Sequence, residues 1–108
     1  MAFDFDAIFS DALKAGVAAA KPGGKAAKDW IRESAKANEE SLRAIAEGVL
    51  DRQISRETGS MLLQESARAL RSEAAALAVI IKAAAQTAAN AFLDSLFNGL
   101  KTALKIAL

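Results

Sequence analysis

Histidine, cysteine and tyrosine are all missing from this sequence. Their absence removes the commonest general bases, nucleophiles and zinc ligands before any fold is considered. Six of the thirteen acids form three close pairs: Asp29 with Glu33, Glu39 with Glu40, and Glu47 with Asp51. Carboxylate pairs can share a proton or bridge a metal, but bridged metal sites in helical bundles draw on Glu-x-x-His pairs aimed inward. All six acids here lie among lysines and arginines on one side of a helical stretch, which reads as a solvated face. Asp4 and Asp6 read as a helix cap and a partner for the helix dipole. No catalytic residue, metal ligand or cofactor-binding residue is expected, and the chain is not expected to be an enzyme.

The segment KPGGKAAK at 21–28 sets glycines beside Lys25 and invites comparison with a phosphate-binding loop. That motif needs a glycine five residues before its Gly-Lys pair and Ser or Thr after it; Ala19 and Ala26 stand there. Lys21, Lys25 and Lys28 with Trp30 nearby would support at most weak nucleic-acid or phosphate contact, so the segment reads as a charged linker and no nucleic-acid partner is expected.

Fourteen basic and thirteen acidic residues leave a net charge of +1, and hydrophobic residues make up 53% of 108. Alanine alone contributes 27, against one proline and six glycines. Alanine loses no side-chain entropy on entering a helix, so an all-α single domain is expected. Charge is unevenly spread: residues 74–108 carry only Lys82, Asp94, Lys101 and Lys105. The opening MAFDFDAIF lacks a basic run ahead of an apolar one, so no secretory leader is expected and the location is expected to be cytoplasmic.

Apolar spacing places a first helix at about 5–20, with Asp4 as N-cap and Phe3 and Ile8 at staple positions. A linker at 21–24 follows, in which Pro22 and two glycines break the pattern. A second helix at about 25–52 has the seam Ile31, Ala35, Asn38, Leu42, Ile45 and Val49, in the alternating steps of four and three of a heptad. Its wet side offers Glu39 to Arg43 as an i, i+4 pair. A turn at 53–55 with Ser55 as cap leads into a third helix at about 56–97, with seam Leu63, Ala67, Leu70, Ala74, Leu77, Ile81, Ala84 and Ala88. Asn98-Gly99 reads either as a C-cap before a short helix at 99–108 or as a soft spot in one rod.

The expected fold is thus a long antiparallel helical hairpin plus a shorter N-terminal helix, with bundle packing. A 42-residue third helix would be about 63 Å long, and its far end from Ala84 onward would project beyond the second helix. That overhang contains FLDSLFNGLKTALKIAL at 92–108, whose Phe92, Leu93, Leu96, Phe97, Leu100, Leu104 and Leu108 share one side. The first helix covers it if 21–24 is a kink; if the chain reverses there, another molecule must.

A membrane span at 74–93 has the right length. Its six strongly apolar side chains contribute about −3 kcal/mol to insertion, which Lys82 alone offsets. Burial against protein is therefore the preferred reading.

The expected role is a non-catalytic scaffold or adaptor that acts through homo-oligomerisation or contact with another helical protein. Its interface would use Asn38, Leu77, Ile80, Ile81, Phe92, Leu96, Phe97, Leu100 and Leu104. Asn38 would act there as a register device, an amide satisfied only when it meets a partner. The alternative is a membrane-surface protein that exposes the amphipathic segment 92–108.

Overall fold

The structure is a computed structural model and describes residues 3–108. It contains α1 (Phe5–Ala19), a single 3-10 turn (Lys21–Gly23), α2 (Gly24–Leu50), α3 (Arg56–Ala75) and α4 (Val79–Leu104). The described residues form an all-helical bundle measuring 43 × 24 × 19 Å.

Local chemistry explains the starts of α1 and α3. The Asp4 carboxylate accepts from the Ala7 N–H at 3.1 Å, and the Ser55 hydroxyl accepts from the Thr58 N–H at 3.1 Å. Each satisfies one of the backbone donors that a helix start leaves without a partner. α2 ends in a Schellman motif, in which the Gln53 N–H returns to the Gly48 carbonyl at 2.9 Å and that of Arg52 to Val49 at 3.1 Å. The motif puts Arg52 at a φ of 62°, in the left-handed region that favours glycine.

Pairing between helices gives the topology. Arg43 of α2 donates to Asp6 of α1, and Gly16 of α1 faces Ile31 of α2, so the chain reverses at 21–24. Val49 packs against Gly59 across the turn that joins α2 and α3. The Arg71 guanidinium donates to the Asn90 side-chain carbonyl at 3.0 Å, and the Ser60 hydroxyl donates to the Ala107 carbonyl, which sets α3 antiparallel to α4. Gly16 meets Ala88 and Phe92, and Gly99 meets Ile8, which sets α1 antiparallel to α4. The result is an up-down-up-down four-helix bundle. α2 and α4 touch across the interior, whereas α1 and α3 lie on opposite flanks without contact among the described residues.

One expectation about the second half is corrected. The third helix does not run on to residue 97, because Ala76, Leu77 and Ala78 turn the chain back. A 63 Å rod would exceed the longest dimension of the molecule. The turn needs no special residue: Ala76 keeps right-handed helical angles and Ala78 is extended at φ −57°, ψ 144°. Residues 74–81, apolar throughout, are thus divided between the end of α3, the turn and the start of α4.

Of the two readings open at Asn98-Gly99, the unbroken one holds: the pair lies inside α4. A methyl group at Gly99 would sit 2.6 Å from Ile8 Cγ2. The glycine marks a close approach of α1.

α1 is the lid over the C-terminal segment, and α1 with α4 is the most extensive helix pair in the fold. Phe92, Leu93, Leu96, Leu100 and Leu104 are buried. The Phe9 ring meets Phe92 edge-on at 5.6 Å, while Phe5 stacks on Phe9 at 5.8 Å. After Lys105, in a left-handed conformation, Ile106 tucks in as well.

Replacing Phe92 by Ala is expected to cost roughly 3–5 kcal/mol of stability, read by urea denaturation. Arg52→Gly is expected to gain about 1 kcal/mol, because glycine adopts the left-handed conformation without the steric penalty of a side chain. Thermal unfolding followed by circular dichroism checks the sign.

Candidate functional site

Two of the three carboxylate pairs have a member held in ion pairs, Asp29 and Glu39. Asp29 binds Lys25 and lies 3.5 Å from Arg32, within its own helix. The Lys25 hydrogen bond holds its carboxyl below the usual aspartate range. Glu39 meets Arg43 at 3.3 Å, as its spacing implied. Arg43 also reaches across to Asp6 and lies 4.9 Å over the Phe5 ring. The Asp6 hydrogen bond pushes the guanidinium pKa up. Sequence reasoning missed this interhelical link, since 37 residues separate its partners. Among the described residues, no group of three or more acids is placed to hold a metal ion.

The nine residues expected at an interface are scattered by the fold. Phe92, Leu96, Leu100 and Leu104 belong to the chain's own interior. Phe97 is half-buried and lines an α3–α4 groove of about 540 Å³ together with Gln64, Arg68 and Asp94. Asn38 is half-buried, and its side-chain N–H donates to the Ser34 carbonyl at 2.8 Å. One amide N–H is thus bonded within its own helix, and the rest of the half-buried group is not sealed from water. Leu77 and Ile81 are half-buried at the α3–α4 turn.

Ile80 stands apart. It is 89% exposed and its neighbour Val79 is 88% exposed. Both occupy the first turn of α4, which has no side-chain cap because Ala78 precedes it. Beside them lies the 3-10 turn, and Ile80, Pro22, Gly23 and Ala84 share a shallow hollow of about 270 Å³. Lys21 is exposed there, and Lys82 is half-buried one residue beyond Ile81. The other exposed large apolar side chains among the described residues are Leu50, at 46%, and Met61, at 55%. They sit towards the opposite end, where Leu50 borders a hollow of about 420 Å³ with Arg52, Ile54, Arg56 and Lys105.

The large exposed apolar side chains among the described residues thus lie towards the two ends of the bundle. Sequence patterning included Ile80 but gave no reason to separate it from the buried residues around it. The separating signal is the turn, and nothing in AAALAVII announces one.

No family model matches this chain, and no curated protein or solved structure matches it. Among the described residues, no helix is long and apolar enough to cross a membrane.

The Asn38 geometry has a direct consequence. Asn38→Leu is expected to leave the mass in solution unchanged and to move stability by less than about 1 kcal/mol, because the amide's one bond is local. Light scattering with a thermal melt checks both.

Proposed function

We propose that this chain is a non-catalytic helical adaptor that acts through contacts made by its outer surface, self-association among them. One observation carries the reading. The interior is complete without a partner, since α1 covers the apolar face of α4, yet large apolar side chains remain in water at both ends. A lone exposed leucine or methionine is ordinary. Leu50, beside a hollow that Ile54 also borders, and Met61, exposed on the next helix, suit a helix-mediated contact better than open solvent.

The site argued from 92–108 gives way in this reading. A lipid or protein partner that used Phe92 and Leu96 would have to lift α1 off α4 and open the largest interface of the fold. The ends require no unfolding. The charges support the same view: Asp29 and Glu39 are engaged in ion pairs along α2.

Light scattering across a range of concentrations tests the self-associating form. A mass above that of the 11.3 kDa chain is expected, returning to the single-chain value in a Leu50→Glu, Met61→Glu double variant. Because both side chains are exposed, that variant is expected to melt within about 0.5 kcal/mol of the parent. A single-chain mass throughout removes self-association from the proposal and leaves contact with a different protein.

A further inference from the structure

We infer that the bundle end formed by the α3–α4 turn and the 3-10 turn docks onto an anionic lipid surface, with Val79 and Ile80 entering the interface and lysines meeting the headgroups. The inference goes beyond the adaptor reading and uses the opposite end from Leu50 and Met61.

Shape is the first ground. Val79 and Ile80 are adjacent and almost wholly exposed, so they form a projecting knob. A protein partner must offer a pocket that matches such a knob, whereas the headgroup–acyl boundary deforms to accept it. Placement sharpens the point. In a chain that fills positions with alanine 27 times, this turn puts valine and isoleucine into water at the start of a helix. Alanine would favour the helix more there and expose less apolar surface.

Charge is the second ground. Residues 18–29 and 70–84, which make up this end, contain Lys21, Lys25, Lys28, Arg71 and Lys82 against only Asp29 and Glu73. Asp29 is already bound to Lys25, which leaves Lys21, Lys28, Arg71 and Lys82 against Glu73 in these two segments. Long lysine stems can lie along apolar surface while the ammonium groups stay at headgroup level. A basic cluster near an anionic leaflet is attracted to it, and the attraction falls off within a Debye length. The same excess argues against a second copy as occupant, because two such ends would repel.

Co-sedimentation of the full chain with vesicles tests the inference, comparing phosphatidylcholine alone with phosphatidylcholine mixed with phosphatidylserine. The chain is expected to pellet with the mixed vesicles and stay in the supernatant with the uncharged ones. Adding salt should weaken binding. Val79→Asp with Ile80→Asp is expected to reduce binding by roughly tenfold or more, with an unchanged melt because neither side chain is buried. Lys21→Glu with Lys82→Glu should also reduce it, while Leu50→Glu at the far end should not. Several results overturn the inference: no pelleting with the anionic vesicles, equal binding to both vesicle types, or full binding by the Val79→Asp, Ile80→Asp variant. Retention on immobilised polyglutamate without vesicle binding also overturns it and assigns this end to an acidic protein.

Discussion

The contact between α1 and α4 is the constraint around which the molecule is arranged. α4 carries Phe92, Leu93, Leu96, Leu100 and Leu104, each buried. Complete burial of such side chains is worth about 1.5–3 kcal/mol apiece, so a conformation that leaves them wet loses on the order of 10 kcal/mol. Interrupting a helix at 76–78 forfeits a few backbone hydrogen bonds, each worth about 1 kcal/mol net. Burial wins, and the chain folds back even though Ala76, Leu77 and Ala78 are acceptable helix residues. Reversal at 21–24 then delivers α1 to the same surface, so one chain covers what a straight third helix would have left to another molecule.

Small residues let that contact close. A methyl group at Gly16 would stand 3.1 Å from both Ile31 Cγ1 and Phe92 Cβ, tight enough to force one of them aside. Ala12, Ala85, Ala88 and Ala89 are fully buried as well. They bring the helices together where larger side chains would hold them apart, while the phenylalanines fill the remaining space. Electrostatics has a smaller part. The observed ion pairs are exposed or half-buried, and pairs of that kind contribute little in water. The Arg43–Asp6 link, with Arg43 lying over Phe5, helps fix where the start of α1 sits on α2.

A closed interior moves the functional question to the surface. The amphipathic segment 92–108 attracts attention as a contact site, yet its apolar face is covered by the chain's own helices. What remains available is at the ends: Leu50 and Met61 near one, Val79 and Ile80 at the other. These residues are unremarkable by type, and only their exposure separates them from the many similar side chains inside.

Local features were legible in the sequence because local physics sets them. Asp4 and Ser55 cap helices since their side chains reach N–H groups three residues on, and the α2 seam from Ile31 to Val49 is buried wherever it is apolar because 3.6-residue periodicity places those positions on one face. The all-helical class follows from the same arithmetic. Tertiary structure alone decided that the chain turns at 76–78, that it passes through Asn98-Gly99 without a break, and that it reverses rather than kinks at 21–24. Each of those outcomes depends on which distant surface is brought near: Gly99 is a contact for Ile8, and Ala78 is extended so that α4 can reach α1. A local pattern states that a face must be covered, but not by what. That answer lies in the total area buried, which exists only once all four helices are in place.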